Sequence, residues 1–391
     1  MLTKLSHIAD CIDGQPMFQM LSKVQNLERE GKKILHFELG EPDFATPDNI
    51  IEASYTAMKS GYTHYTNSSG LHEFKKVIQE ATFTTRQFEP STNQILITPG
   101  ANAIVYFAIK CIVNPGEEVV VPNPGFPTYF SAIKACGAKA VDVPLYETNN
   151  FRLNPQDLEK VITSKTKLII INSPSNPTGA MMTPQEIKEV YNIAVKHNLF
   201  LLSDEIYARL VFDTVHQFAS PAVFDQCMER TIILNGFSKA FAMTGWRLGV
   251  AIAPSFLIQK MGLLLETIVS CVPPFIQKAG MEAIVGDQKA ILSMKDEYAQ
   301  RRALLVSGLN DIDGISCVMP SGAIYAFANI KQTGMTSEEF SDFILEKAGV
   351  ALLPGNNFGI YGDGYVRLCY VNSQDNILLA IDKMKAALTN R

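Results

Sequence analysis

One lysine stands apart in the stretch SKAFAMTGWRLG, residues 238–249. Small and apolar residues surround Lys239 there, and Arg247 follows eight positions later beside the single tryptophan of the chain, Trp246. An ammonium group in such surroundings is poorly solvated, and burial lowers the pKa of a lysine from its free value of roughly 10.4. Because the neutral amine is a nucleophile, Lys239 is a candidate for covalent chemistry.

A carboxylate is the second candidate. Asp204 ends the apolar run LFLLSD, residues 199–204, and Tyr207 lies three residues further on. A buried carboxylate is unfavourable unless it meets a cation or a protonated nitrogen, so Asp204 and Tyr207 are placed to face one ligand. The alternative is a surface carboxylate at the end of a strand.

A short turn is a candidate anion site. Gly100, Ala101 and Asn102 follow the run ILIT and open the helical run NAIVYFAIKCI. Free backbone N–H groups at a helix start, together with the helix dipole, bind anions such as phosphate. An ordinary strand-to-helix turn is the alternative.

Two proline-containing segments add a ring and an amide. Phe126 stands among three nearby prolines, where its ring is placed either to stack on a planar ligand or to join the core. Asn176 lies in NSPSNPTG, residues 172–179, whose two prolines fix the backbone. Its amide is then held to donate a hydrogen bond, unless the segment is only a turn that needs these residues for its geometry.

These side chains need a frame that brings strand ends together. Six runs are apolar or β-branched without alternation, which is typical of a mostly parallel α/β sheet covered on both faces. Ligands of such sheets bind beyond the carboxyl ends of the strands. Between two of these runs, Thr183 and Pro184 predict the start of a helix that extends to residue 198. The six runs are residues 94–98, 117–122, 167–172, 199–204, 231–235 and 248–253.

The pattern changes after about residue 255. Long helical runs are followed by the shorter alternating strands AIYAFANI and GYVRLCYV, which predicts a second, smaller α+β lobe. The N-terminal stretch has too little core of its own and is expected to pack on that lobe. We therefore predict a large domain over residues 46–284 and a small domain formed by residues 1–45 and 285–391.

Composition excludes several classes of protein. Hydrophobic residues make up 47% of the 391 residues, the net charge is −5, and no apolar run approaches the roughly 18 residues of a membrane span. Basic residues do not cluster, so we expect no nucleic-acid partner. Seven cysteines and six histidines are scattered without metal-ligand spacing, which predicts reduced thiols, no metal site and a cytoplasmic protein without a secretion signal.

Seven motifs follow one another along the chain: HFELGEPDFATP, YTHYTNSSGLHEF, NSPSNPTG, SDEIY, SKAFAMTGWRLG, PSGAIYAF and LLPGNNFGIYGDGYVRLCY. They stand in the order seen in the class I/II aminotransferases, which are pyridoxal-phosphate enzymes of fold type I, and the chain resembles that family over nearly its whole length. The resemblance implies a large domain with a mostly parallel seven-stranded sheet between helices, and a smaller α+β domain.

The family's catalytic roles transfer to matching positions. Lys239 matches the lysine that bonds covalently to the cofactor and then acts as general base. Asp204 resembles the carboxylate that pairs with the pyridine nitrogen, and Tyr207, aided by Asn176, the phenol that hydrogen-bonds the ring oxygen. Phe126 is at the stacking position.

The phosphate is expected to be held by Arg247, Ser238 and the backbone of Gly100, Ala101 and Asn102, because guanidinium geometry suits phosphate. The family often has a serine three residues before the lysine, where this chain has Gly236. Phosphate binding is therefore expected to depend more on Arg247 and the backbone.

Substrate and partner contacts come from elsewhere in the chain. Arg367 in YVRLCY matches the arginine that binds the substrate α-carboxylate, and Gly40 offers a backbone contact. Tyr65 resembles the tyrosine that reaches the phosphate of the neighbouring subunit, so the resemblance implies a homodimer with shared sites. Arg367 as a solvent-facing strand residue and Tyr65 as a core tyrosine are the alternatives.

The resemblance implies ping-pong transfer of an amino group from an L-amino acid to a 2-oxo acid. Aspartate-specific members have a lysine in the phosphate turn and small hydroxyl residues at the N-terminal edge, where this chain has Ala101 and Pro16-Met17-Phe18. We therefore expect a neutral, apolar or aromatic donor. A lyase of the same fold is an alternative, as is a pyridoxal-phosphate-binding regulator, although the 39 residues before GEPDF leave no room for a DNA reader.

Overall fold

A computed structural model describes residues 5–6, 8–9, 14–213, 215 and 217–391 of the chain. The predictions for the first 45 residues therefore fall partly outside the described residues, at positions 1–4, 7 and 10–13.

Thirteen strands are present in the described residues. They are β1 (Leu35–His36), β2 (Ile95–Thr98), β3 (Glu118–Asn123), β4 (Lys139–Pro144), β5 (Thr166–Asn172), β6 (Phe200–Asp204), β7 (Thr231–Gly236), β8 (Gly249–Ile252), β9 (Ser316–Cys317), β10 (Tyr325–Asn329), β11 (Val350–Ala351), β12 (Leu353–Pro354) and β13 (Tyr365–Cys369).

Thirteen α-helices lie wholly within the described residues. They are α1 (Pro16–Arg29), α2 (Asp48–Lys59), α3 (His72–Arg86), α4 (Ala101–Ile112), α5 (Pro127–Ala135), α6 (Pro155–Val161), α7 (Pro184–Lys196), α8 (Ala222–Asp225), α9 (Ser255–Val269), α10 (Pro274–Val285), α11 (Lys289–Asn310), α12 (Ser337–Ala348) and α13 (Gln374–Thr389).

The large sheet has seven strands in the order β2-β8-β7-β6-β5-β3-β4, and all neighbours run parallel except at β8, which is antiparallel to β2 and to β7. The predicted mostly parallel seven-stranded sheet is confirmed, and all six apolar runs are strands of it. The strand that the sequence pattern missed is β4, an edge strand whose residues are mainly half-buried or exposed. An edge strand covered on one face lacks the continuous apolar run that marks a central strand.

Helices cover both faces of this sheet. Leu96, Val119 and Ile170 pack with α4, α5 and α9 on one face, whereas the other face packs against α3 and α10 at one end and α6 and α7 at the other. The helix α7 begins as predicted, because the Thr183 side chain accepts a hydrogen bond from the Glu186 N–H and Pro184 takes the first helical position.

A second core lies in the C-terminal part of the chain. The antiparallel sheet β12-β13-β10-β9 packs against α11, α12 and α13. The N-terminal segment joins this lobe, because Leu35 and His36 of β1 pair in parallel with Val350 and Ala351 of β11, and Phe37 is buried in the same core.

Within the described residues, no helix is long and apolar enough to cross a membrane, and no cluster of three or more metal-ligating side chains is present.

Candidate active site

Asp204 lies at the carboxyl end of β6 and is almost entirely buried. Tyr129 donates its hydroxyl hydrogen to Asp204 Oδ2 at 2.5 Å, and the Ile206 N–H donates to Oδ1 at 3.1 Å. Burial raises the pKa of Asp204 to about 6, against the opposing effect of these two hydrogen bonds. Since no ion pair to Asp204 occurs within the described chain, its carboxylate is suited to a cationic group of a ligand.

Tyr129 was not singled out from the sequence. It lies three residues after Phe126, which precedes the first residue of α5, so both side chains project from the same helical turn. The two rings meet edge to face with centroids 5.6 Å apart. One buried tyrosine therefore orients both the carboxylate and the aromatic ring of the candidate site.

Lys239 follows β7 and is half-buried, with its Nζ donating a hydrogen bond to the Gly40 carbonyl at 2.5 Å. Burial lowers the pKa of Lys239 to about 8, and the nearby Arg367 and Arg247 cations act in the same direction. The lowered pKa agrees with the one expected from the residue types around it. A substantial fraction of neutral amine at mildly alkaline pH makes Lys239 an effective nucleophile and base.

Gly40 allows a close approach that a side chain would block. A Cβ atom at this position would lie 2.2 Å from the hydroxyl oxygen of Tyr325. Tyr325 in turn shares a 2.7 Å hydrogen bond with the Tyr207 hydroxyl, and the two rings are nearly perpendicular, with centroids 5.7 Å apart. The pair links the lysine side of the site to the C-terminal lobe.

Arg367 lies on β13 and is fully buried. Its Nη1 donates to Asn176 Oδ1 at 3.1 Å and its Nη2 donates to the Glu38 carbonyl at 2.5 Å, while Nε has no hydrogen-bond partner among the described residues. The guanidinium also contacts the faces of the Tyr325 and Phe358 rings, 4.4 Å and 4.9 Å from their centroids. This oriented cation with unused donor capacity is suited to a carboxylate.

The other end of the site is suited to a phosphate-like anion. Gly100 has a φ of 83°, and a Cβ there would lie 2.3 Å from Nη2 of Arg247. The helix α4 begins at Ala101 without a capping side chain, so its first N–H groups are free to meet an anion. Arg247 donates through Nη1 to the Thr244 carbonyl at 2.9 Å and is itself exposed.

A cavity of about 550 Å³ brings most of the predicted residues together. Gly100 and Arg367 adjoin it through Arg247 and Asn176. Tyr65 lies apart, with 87% of its surface exposed. The predicted residues that line the cavity are Gly40, Ala101, Asn102, Phe126, Asn176, Asp204, Tyr207, Ser238, Lys239 and Arg247.

The remaining wall of the cavity comes from the N-terminal segment. Met17, Phe18 and Leu21 of α1 line it, and Phe18 is more than half exposed. Gln15, directly before α1, donates through Nε2 to Thr128 Oγ1 at 2.8 Å and so joins this segment to the start of α5. The distance of 113 residues between the partners explains why no local sequence pattern indicated the contact.

The donor set fits a flat, anionic cofactor with a basic ring nitrogen. It combines an uncapped helix start beside a guanidinium, an aromatic face, a buried carboxylate, a phenol and an amine of lowered pKa within one cavity. Each of these protein groups matches one chemical group of pyridoxal phosphate. In the same order, these are the phosphate, the ring, the pyridine nitrogen, the ring oxygen and the aldehyde.

Comparison with known proteins identifies the family. Residues 32–383 match the family described as aminotransferase class I and II. An aspartate aminotransferase of Pyrococcus abyssi is 41% identical over 363 residues, covering 92% of this chain and 93% of the relative. An aromatic-amino-acid aminotransferase of Thermococcus litoralis is 39% identical over 375 residues, covering 95% and 96%. The crystal structure of an aromatic aminotransferase from Pyrococcus horikoshii is 38% identical with a TM-score of 0.89, covering 94% of this chain and 99% of that one.

These matches confirm the resemblance carried by the seven motifs, and they favour transamination over the lyase and regulator alternatives. The chain therefore belongs to the class I and II aminotransferases, a family of pyridoxal-phosphate-dependent enzymes of fold type I, and it is an aminotransferase.

Proposed function

We propose that the cavity binds pyridoxal 5′-phosphate and that the enzyme transfers the amino group of a neutral L-amino acid, apolar or aromatic, to a 2-oxo acid. The observation that carries this proposal is the pairing, in one cavity, of a lysine whose pKa is lowered to about 8 with a buried carboxyl whose pKa is raised to about 6. The lysine amine is suited to act as a nucleophile and as a base, and the carboxylate is suited to pair with a cationic group of the ligand.

The phosphate would be held at the start of α4 by the N–H groups of Ala101 and Asn102, with Gly100 allowing Arg247 close to them. Ser238, buried beside Lys239, would add a hydroxyl. A serine at Gly236 would be crowded, since a Cβ there meets the Ile206 side chain at 2.9 Å. The structure thus favours phosphate binding through the helix start and the guanidinium.

The ring would stack on Phe126, with Asp204 facing its nitrogen and with Tyr207 and Asn176 facing its oxygen. Asn176 is oriented by two hydrogen bonds. Its backbone N–H donates to Asn172 Oδ1 at 2.7 Å, and its side-chain Oδ1 accepts from Arg367. Its side-chain NH₂ therefore remains available for the ligand. A protonated ring nitrogen beside Asp204 would lower the pKa of this carboxyl and keep it ionised.

When bound, the cofactor supplies an electron sink that makes the α-hydrogen of a bound amino acid acidic. Lys239 moves that proton, because its amine is held at the Gly40 carbonyl and is partly neutral at mildly alkaline pH. Arg367 binds the α-carboxylate through its unused donor capacity, and its two protein hydrogen bonds fix the orientation of the clamp.

The side chains that line the cavity support the proposed donor class. Met17, Phe18 and Leu21 offer apolar surface, and Ala101 offers no charge at the phosphate turn. Among the described residues that line the cavity, the cations are Lys239 and Arg247, which serve the cofactor. A side-chain carboxylate would therefore be desolvated without a partner from this chain.

Absorbance spectroscopy tests the proposed donors. The cofactor-loaded enzyme is mixed with single amino acids, and loss of its visible absorption identifies the compounds that donate an amino group. We expect phenylalanine, methionine and leucine to bleach the enzyme faster than aspartate. A large preference for aspartate in kcat/KM would contradict the proposed donor class while leaving the aminotransferase assignment intact.

We propose a homodimer in which Tyr65 reaches the phosphate of the neighbouring subunit, because this tyrosine is exposed and does not line the cavity of its own chain. We also propose a cytoplasmic location, which the free state of the six described cysteines supports.

The proposed division into one domain of residues 46–284 and another of residues 1–45 and 285–391 is supported by the β1–β11 pairing. Sedimentation velocity tests the dimer, and limited proteolysis tests the domain boundaries.

A further inference from the structure

Tyr207 and Tyr325 share a single hydrogen bond deep in the site. Their hydroxyl oxygens are 2.7 Å apart, and the side chains are 3% and 2% exposed. Both residues line the cavity. One hydroxyl hydrogen occupies the bond between them, so the other hydrogen is free to point elsewhere. Which tyrosine donates decides which one can donate to a ligand.

The surrounding charges favour Tyr325 as the donor. Burial raises the pKa of Tyr325 to about 12, and the Arg367 cation over its ring opposes that rise more strongly than Cys369 or Asp204 adds to it. Burial raises the pKa of Tyr207 well above its ordinary value, and Asp204 raises it more than Arg367 lowers it. Because a cation close to a hydroxyl polarises it into a stronger donor, the Arg367 guanidinium, 4.4 Å from the centroid of the Tyr325 ring, favours Tyr325 as the donor.

The geometry keeps Tyr325 in this orientation. Tyr325 pairs with Cys369 in the β10–β13 ladder, which places it beside the strand that carries Arg367. Gly40 packs against its hydroxyl, and Gly179 packs against its carbonyl, where a Cβ would lie 2.9 Å away. Side chains at either glycine would displace the tyrosine.

We propose that Tyr325 is a positioning residue that donates its hydroxyl hydrogen to Tyr207 and so leaves the Tyr207 hydrogen directed into the cavity. This inference rests on the proposed role of Tyr207 at the ring oxygen of the cofactor. A hydroxyl that accepts a hydrogen bond is polarised into a stronger donor, so Tyr325 strengthens the hydrogen bond from Tyr207 to the ligand. Because Arg367 contacts the Tyr325 ring, the same residue connects carboxylate binding to the ring oxygen.

A spectroscopic titration tests the tuning. The visible band of the cofactor-loaded enzyme is followed against pH for the wild type, Tyr325→Phe and Tyr370→Phe. Losing the donor weakens stabilisation of the anionic ring oxygen, so the midpoint for Tyr325→Phe is expected to rise by about half a pH unit. Tyr370→Phe is the matched control, because it removes an equally buried hydroxyl that donates to the Ala323 carbonyl at 2.8 Å.

Steady-state kinetics separates positioning from packing. Tyr325→Phe keeps the ring that contacts Arg367, so KM for the amino acid should change less than about twofold while kcat falls several-fold. An unchanged titration midpoint in Tyr325→Phe, or an equal shift in Tyr370→Phe, would overturn the inference.

Neutron diffraction of cofactor-free crystals tests the donor direction without the cofactor. We expect the shared deuterium to be bonded to Tyr325 Oη. A deuterium bonded to Tyr207 and pointing to Tyr325 would refute the inference even if the cofactor binds as proposed. A wild-type enzyme that never acquires the visible band would instead refute the proposed cofactor role, whatever the neutron map shows.

Discussion

The two walls of the cavity are built in different ways. The wall of the large sheet carries Asp204 at the end of β6, Lys239 three residues after β7, and Ala101 at the first turn of a helix. The opposite wall is formed by α1 and by Tyr325 of β10, which come from distant parts of the chain. Arg367, which contacts the Tyr325 ring, donates to the Glu38 carbonyl across 329 positions. We infer that the first wall serves the cofactor and that the second serves the substrate, so changes to each should have separable effects.

The largest effect is expected on the sheet wall. Lys239→Ala removes the amine that we propose moves the proton, so kcat should fall by at least about 10³-fold. Lys289→Ala, which removes an exposed lysine, is the control. Residual activity within tenfold of the wild type would show that another base performs the step.

Asp204→Asn should have opposite effects on catalysis and on stability. Loss of the anion that we propose faces the ring nitrogen should lower kcat by about 10²-fold, on the order of a lost hydrogen bond between charged groups. The free energy of unfolding of the cofactor-free protein at pH 8 should rise by up to about 2 kcal/mol, because an isolated buried carboxylate is removed.

The sign of the stability effect follows from the pKa. Asp204 titrates near pH 6 in the folded chain and near 3.8 when unfolded, so its ionisation lowers the stability of the cofactor-free protein as pH rises from about 4 to 6. Denaturation of wild type and Asp204→Asn at pH 4 and pH 8 measures this. A larger stability gain for the variant at pH 4 than at pH 8 would contradict the account.

Tyr129→Phe probes the support behind the sheet wall. It removes the hydroxyl that donates to Asp204 Oδ2, so the pKa of Asp204 in the cofactor-free protein should rise further and kcat should fall about tenfold. Tyr191→Phe, on the half-buried face of α7, is the control. Equal kcat values for the two variants would show that Tyr129 does not support Asp204 in catalysis.

Changes to the opposite wall should alter donor choice with little effect on the cofactor. Phe18→Ala removes apolar surface from the rim, so kcat/KM for phenylalanine should fall about fivefold, on the order of a few lost methylene contacts, while cofactor affinity stays constant. On the sheet wall, Ala101→Lys would add a cation at the phosphate turn and should raise the ratio of aspartate to phenylalanine turnover. A uniform loss for both donors would mean that the rim does not select the side chain.

The smallest effect is expected from His36, which anchors the N-terminal segment. Its ring bonds Glu38 at 2.8 Å and Glu28 at 3.1 Å, and the Glu38 hydrogen bond is the main cause of a pKa raised to about 9. A raised histidine pKa stabilises the fold below about pH 6.5, and this contribution is lost as pH rises through 9. The Tm difference between wild type and His36→Gln should therefore shrink from pH 6 to pH 9.5. A difference that grows over this range would contradict the stabilising role of protonated His36.

The sequence predicted the sheet wall better than the opposite wall. Asp204 was singled out because it ends an apolar run, and Lys239 because small and apolar residues surround it. Thr183 was predicted as an N-cap, which the structure confirms, because capping is a local feature of the sequence. The partners Tyr129 and Tyr325 were missed because they lie 75 and 118 residues from Asp204 and Tyr207. Contacts between residues far apart in the chain leave no periodic signal in the sequence. The three-residue spacing of Phe126 and Tyr129, however, indicated that these two side chains are neighbours on one helical turn.

The resemblance to the aminotransferase family predicted site residues that the hydrophobic periodicity of the sequence did not. Arg367 reads locally as an alternating strand residue that faces water, yet it is fully buried between two aromatic rings. Tyr65 stays a prediction, since its proposed contact is with a second subunit.

Chemical trapping tests the central claim most directly, namely that the uncharged amine of Lys239 holds the cofactor opposite Asp204. The enzyme loaded with pyridoxal 5′-phosphate is reduced with borohydride, digested and analysed by mass spectrometry. We predict that the reduced cofactor mass lies on the peptide that contains Lys239 and that Lys239→Ala yields no such adduct. An active enzyme that carries the mass on another lysine, or carries none, would contradict the account.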